Sequence, residues 1–112
     1  MPRRSAGGEV VVIMWRDIPA QVNGQLGRER HQLLLSAKFQ GAVDRAKRKA
    51  KIHTANEDIA QWRRESIPVD GDFEAVRQAA GAEAARLEDA YSDERLGRLA
   101  YVGGWERDVE AG

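Results

Sequence analysis

Two tryptophan–arginine clusters, Trp15-Arg16-Asp17 and Trp62-Arg63-Arg64, hold the side chains of this chain best equipped to recognise another molecule. Trp offers a large rigid apolar face and Arg a planar fork of donors, which is why these two types dominate interface energetics. Arg16, Arg63 or Arg64 could also grip a carboxylate or phosphate through two parallel hydrogen bonds. Strand alternation sends Trp15 and Asp17 to one face and Arg16 to the other. Pro19 and Gln21 follow in a polar bend, so the candidate contact surface runs from Trp15 to Gln21 and continues on Trp62, Arg63 and Arg64. The plainer alternative is that Trp15 is core while Arg16 and Asp17 pair with charges at a strand end. If the strand carrying Trp62 lies beside the first, the two indoles share a face, either as a paired core or as an exposed aromatic patch.

Other chemistry is sparse. Lys47, Arg48, Lys49 and Lys51 form the densest basic cluster, with Lys38 and Arg45 on the same stretch. Phosphate neutralisation would make this a nucleic-acid patch, but the sequence pI near 6.7 and the few aromatics speak for a solvated helix end, where cations suit the macrodipole. His31 and His53 stand 22 positions apart and belong to no metal-spaced pair, so no metal site is expected. Ser5, Ser36, Ser66 and Ser92 lack a nucleophile-elbow context. The adjacent pairs Glu57-Asp58 and Glu88-Asp89 point apart, which is poor geometry for shared acid–base work, and no glycine-rich phosphate loop is present. Nothing assembles a nucleophile, a base and an orienting group, so no enzyme and no cofactor is expected.

With 112 residues, 42% hydrophobic and 32% charged, the chain makes one domain of ordinary globular composition. The absence of cysteine excludes disulfides, thiolate catalysis and zinc–thiolate sites, and points to a reducing cytoplasm. No apolar run approaches the roughly 18 residues of a membrane span, and residues 1–8 lack the apolar core of a secretory signal and are expected to be a disordered leader. The zero net charge hides an asymmetry: residues 1–56 carry eleven Lys and Arg against four Asp and Glu, a net +7, and residues 57–112 carry seven against fourteen, a net −7. Such halves either neutralise each other on packing or offer faces of opposite sign to different partners.

The elements that must position these residues are legible to different degrees. Val10 to Trp15 is β-branched and continuously apolar, the pattern of a central strand. Pro19 ends or bends it near Asp17, and Asn23-Gly24 predicts a type I′ turn before a second strand over residues 25–35, a stretch that could instead open the next helix. A helix from Ser36 to about Lys51 carries the stripe Leu35, Phe39, Ala42, Val43, Ala46 and Ala50, with Ser36 as N-cap. Residues 59–69 predict a third strand ending at Pro68. Phe73, Val76, Ala80, Ala84, Leu87 and Tyr91 predict the longest helix, in which Gly81 could mark a close backbone approach; Ser92 could cap a short further helix ended by Gly103-Gly104. The expected architecture is α+β, a two-layer sandwich of a three-stranded sheet with two main helices on one face, in the order β-β-α-β-α. It occupies residues 9–102 and is followed by a loosely held tail over 103–112. The crossover through the first helix could place the third strand parallel to its partner.

The run Met14-Trp15-Arg16-Asp17-Ile18-Pro19-Ala20-Gln21-Val22, with Lys38-Phe39-Gln40, Val43-Asp44-Arg45-Ala46 and Gln61-Trp62-Arg63-Arg64 after it, resembles the small bacterial domain family called virulence factor. That domain also occurs at the C-terminus of HEAT-repeat proteins named conserved virulence factor C. The resemblance covers residues 9–67, and its name records a phenotype rather than a chemistry. It implies an appended binding domain: a non-catalytic cytoplasmic module that presents the Trp15–Gln21 bend and the Trp62–Arg64 strand to another protein. A second implication, from the gene neighbourhoods of free-standing members, is an accessory or small-anion-binding subunit of folate or corrinoid one-carbon enzymes, with Arg16, Arg63 and Arg64 as anion ligands. Nucleic-acid binding ranks third, and a homo-oligomer stays open.

Overall fold

The apolar run near the start of the chain forms the strand around which the sheet is built. The structure is a computed structural model that describes residues 7–111, so residues 1–6 of the expected leader lie outside the described residues. Strand β1 (Gly8–Trp15) pairs antiparallel with β2 (Ile18–Leu26) on one side and with β4 (Trp62–Val69) on the other. Strand β3 (Glu29–Leu34) extends the sheet beyond β2, which gives the order β3-β2-β1-β4. The sheet therefore has four strands rather than three, and β4 runs antiparallel to β1 with no parallel crossover. Val10, Val11 and Val12 are all buried, as the central position of β1 requires.

The extra strand comes from a turn placed elsewhere than expected. Residues 16 and 17 alone connect β1 to β2, with Arg16 at φ +52°, the left-handed conformation that a two-residue hairpin demands. Asn23-Gly24 lies inside β2, and the next reversal is at Gly27, φ +59°. Gly24 serves packing instead: a Cβ there would sit 3.0 Å from Val76 Cγ1, and one on Gly8 would sit 2.6 Å from Val76 Cγ2. Pro19 does not end the strand. It stands opposite Met14 just beyond a bulge, where Ala20 is left over between the pairs Ile13–Gln21 and Met14–Pro19.

Helix α3 (Phe73–Ala90) lies across the sheet face that carries Gly8, Val10, Val12, Val22 and Gly24. Asp72 caps it by accepting the Ala75 N–H at 3.0 Å. Helix α1 (Ala37–Lys49) packs on β2 and on α4 (Asp93–Tyr101), beyond the β1–β2 turn, where Trp15 and Ile18 enter a core with Phe39, Ala42, Ala46, Leu96 and Leu99. The two main helices thus do not share one face: α3 covers one side, while α1 closes the turn end and reaches the rim of the other. Ser36 precedes α1 but makes no cap bond; its hydroxyl donates to Glu88 Oε1 at 2.7 Å. Gly81 faces open space, so no close approach occurs there.

Two short helices complete the chain. Helix α2 (Ala55–Ile59) opens with a reciprocal capping box between Thr54 and Glu57. Helix α5 (Glu106–Ala111) follows a Schellman-type end of α4, in which Gly103 N–H donates to Ala100 at 3.1 Å and Gly104 N–H to Leu99 at 2.8 Å. Both glycines are buried at positive φ. The tail over 103–112 is therefore held at its start, although α5 itself buries no residue fully.

Candidate functional site

Trp15, the last residue of β1, and Trp62, the first of β4, are direct cross-strand partners and so lie on the same sheet face. The aromatic floor forms, but its two halves differ: Trp15 is fully buried and Trp62 is 37% exposed. Between them stands Asp58 of α2. Trp15 Nε1 donates to Asp58 Oδ1 at 2.9 Å and Trp62 Nε1 donates to Oδ2 at 3.1 Å. Lys47 Nζ of α1 pairs with Oδ1 at 3.0 Å and lies 5.4 Å from the Trp62 ring centroid. Burial alone would raise the Asp58 carboxyl, but the Lys47 ammonium and the two indole donors outweigh it and hold it below the usual carboxylate range. One carboxylate thus fixes two indoles and an ammonium, and the exposed Trp62 ring is held in place from below.

The Trp-Arg-Asp turn follows the plainer alternative, with Trp15 in the core and Asp17 paired with Arg63. Trp15 and Pro19 are buried, so neither side chain can touch a partner, and this removes them from the contact surface. Arg16 Nε donates to Gln61 Oε1 and Nη1 to the Gly103 carbonyl, both at 2.9 Å. Its guanidinium stands 5.0 Å from the Trp15 ring centroid and 5.4 Å from that of Trp105, and burial pulls its pKa down. Asp17 accepts the Glu106 N–H at 2.7 Å and Arg63 at 3.1 Å, and its own N–H donates to the Gly104 carbonyl at 2.9 Å. Arg63 also bonds the Arg16 carbonyl and Glu65. Burial lowers the Arg63 pKa, and Glu65 with Asp17 more than reverses it. These groups are consumed in joining β1, β4 and the segment after α4. An anion site on Arg16 and Arg63 would have to break those bonds first, whereas Arg64, exposed on the cleft side of the sheet, makes no hydrogen bond or ion pair among the described residues.

What remains accessible is a cleft of about 300 Å³ beside Trp62. Ile13, Ala20 and Val43 line it, Leu34 stands at its edge at 70% exposure, and Gln21, Gln40, Asp44 and Lys47 supply polar groups. Ala20 and Gln21 are the residues of the expected bend that open onto it, the Gln21 amide donating to Asn23 Oδ1 at 2.7 Å. The cleft occupies the sheet face opposite α3. The basic cluster does not gather into one patch: Lys47 turns to Asp58 and Trp62, Lys49 turns to the Tyr101 ring at 4.4 Å, and Arg48 and Lys51 are exposed. The hydrogen bonds that build this region join indole, guanidinium, ammonium, amide and carboxylate groups, and none of those named here includes a hydroxyl nucleophile or an imidazole. Among the described residues no group of three or more His, Asp or Glu could hold a metal, and no helix is long and apolar enough to cross a membrane. Asp58, Gln61 and Leu34 join the candidate site although their residue types did not single them out for it. Thr54-x-x-Glu57 signalled the short helix that carries Asp58, four residues before Trp62.

The virulence factor family model matches residues 13–100, and the chain belongs to that family. The match runs through α3 and α4, beyond the stretch in which the motifs are recognisable by eye. No curated protein and no solved structure matches the chain significantly.

Proposed function

We propose that this virulence factor domain is a non-catalytic, cytoplasmic protein-interaction module whose contact surface is the Leu34–Trp62 cleft. The observation that carries this reading is the pairing of an exposed Leu34 and a half-exposed Trp62 on the sheet face opposite α3, at an open cleft that α1 walls on one side. An apolar side chain exposed to this degree on a structured strand gains most when a partner buries it. At about 300 Å³ the cleft stands at the lower end of ligand cavities, a size suited to one or two inserted side chains of a protein. Trp62 is immobilised by Asp58 and Lys47, so little rotamer freedom is left to lose on binding. The occupant is then an extended segment bearing a bulky apolar anchor, with Asp44 in the lining and Arg64, across β1 from the lining residue Ile13, for its flanking polar groups.

The Trp-Arg-Asp bend supports this surface from behind. The accessory-subunit reading loses two of its three anion ligands, Arg16 and Arg63, to Gln61, Gly103, Asp17 and Glu65, and keeps Arg64 alone. Nucleic-acid binding is disfavoured by the splaying of Lys47 and Lys49, and a low-salt mobility-shift assay with DNA and RNA is expected to show no complex.

Capture experiments with the whole chain as bait test the proposal. A protein retained by the wild type should be lost, at least tenfold, from Leu34→Asp and from Trp62→Ala baits that keep their circular dichroism and melting behaviour. The same protein, purified, should then titrate against the wild type and fail to titrate against Leu34→Asp. Equal retention by all three baits would refute the cleft as the contact surface.

A further inference from the structure

The two edges of the sheet are built differently. At the β4 edge, the pairing of Arg16 N–H with the Gln61 carbonyl fixes the alternation, so residues 64, 66 and 68 direct their backbone groups outward. Pro68 supplies no donor there, a device that keeps a foreign strand from adding to an edge, whereas an exposed arginine is common to both edges, Arg64 here and Arg30 on β3. At the β3 edge, Leu35 N–H donates to the Ala20 carbonyl at 3.3 Å, and the register then sends the N–H and C=O of Arg30, Gln32 and Leu34 away from β2. Strand β3 contains no proline, no lysine and no bulge. Arg30, Gln32 and Leu34 are all exposed, and among the described residues no other backbone group bonds their outward amides.

We propose that β3 is a self-association edge, on which a second copy of this chain adds its own β3 antiparallel about a two-fold axis at Gln32. This register sets each outward-facing residue opposite another: Gln32 against Gln32 of the copy, and Arg30 against Leu34 of the copy. Every outward N–H and C=O of the three residues then finds a partner, and the two Gln32 carboxamides, each both donor and acceptor, can bond one another. Sliding the pairing to centre Arg30 would set two guanidinium groups face to face, a direct like-charge contact. In the Gln32-centred register the alkyl stem of Arg30 covers the exposed Leu34 of the copy instead. The axis stands perpendicular to the sheet, so both α3 helices lie on one side of an eight-stranded sheet. Helix α3 sits chiefly over β2, and three strand spacings separate the two β2 strands, about 14 Å. That exceeds the roughly 8–10 Å at which helices pack, so the α3 layers do not collide. An edge-to-edge contact of five residues per strand, 30–34, buries less than a standard interface, which makes this dimer a concentration-dependent one.

Sedimentation of the full chain across a concentration series tests the inference, together with Gln32→Pro. Proline is compatible with an edge position whose N–H points to solvent, so the fold is kept while the central donor of the dimer is lost. Gln32 does not line the cleft, so this variant separates self-association from partner capture. The wild type should pass from monomer to dimer below 1 mM, and Gln32→Pro should raise the dissociation constant at least tenfold. Should that variant fail to fold, hydrogen exchange on the wild type decides: the amides of Arg30, Gln32 and Leu34 must slow with rising concentration while those of Arg64 and Ser66 do not. A wild type that stays monomeric at 1 mM overturns the proposal. So does a dimer that Gln32→Pro leaves intact, or edge amides whose exchange is independent of concentration.

Discussion

Asp58 is the residue on which the site is most sensitive, because a single carboxylate serves Trp15, Trp62 and Lys47. Its pKa in the folded chain lies below that of the unfolded chain, about 3.9 for an aspartate. The stabilisation it contributes is therefore complete above that unfolded value and is lost as pH falls through the lower folded value. Asp58→Asn keeps the shape but can accept from only one indole and leaves Lys47 without its counter-charge. Charged hydrogen bonds contribute about 1.5–3 kcal/mol net, so the variant should lose stability of that order at pH 7. The difference from the wild type should shrink as urea unfolding is repeated at pH values descending below 4. A gap between the two proteins that stays constant down to pH 2 would show that the carboxylate charge is not what holds the indoles. Asp58 was invisible as a site residue because its role depends on where α2 places it, whereas Trp15 and Trp62 announce themselves by type.

The elements were legible where one physical cause dominated and illegible where two competed. Val10 to Met14 has no reason to be continuously apolar except burial on both faces, and it is the central strand. The three- and four-residue steps from Phe73 to Tyr91 had no rival explanation, and α3 spans that stretch. Asn23-Gly24, in contrast, reads as a turn by local chemistry, while the glycine is there because α3 presses on β2. Pro19 reads as a strand end, yet a bulge lets β2 carry it. The glycines consequently divide by what a side chain would meet. Gly24→Val would force branched carbons into Val76, which must already give way to a Cβ at 3.0 Å, and should destabilise by about 1–3 kcal/mol through overpacking. Gly81→Ala meets open space in an exposed helix turn and should stabilise by about 0.4–1 kcal/mol, chiefly by restricting the unfolded chain. Paired thermal melts read both, and a neutral Gly24→Val would mean that α3 can lift off the sheet at little cost.

Across the whole molecule, the Trp-Arg-Asp turn joins segments that no local pattern connects. Asp17 reaches Arg63 across 46 positions and the Glu106 amide across 89, and Arg16 reaches Gly103 across 87. Such contacts close the longest loops of the chain, and sequence periodicity carries no trace of them, which is why residues 103–112 read as a loose tail. Their consequence is that two parts of one motif region answer differently to mutation. Asp17→Ala removes the acceptor of the Glu106 amide and of Arg63, so the segment from Trp105 onward should come free even though it lies at the far end of the chain. A stability loss of about 1.5–3 kcal/mol is expected, in keeping with charged hydrogen bonds that are partly buried. Hydrogen exchange in α5 should rise further than in α3, because α5 has no buried residue of its own to retain it. Leu34→Asp, on the exposed cleft edge, should stay within about 0.5 kcal/mol of the wild type, as surface substitutions usually do. If Asp17→Ala instead left α5 protected and Leu34→Asp unfolded the chain, the division between a buried clamp and an exposed contact surface would be the wrong way round.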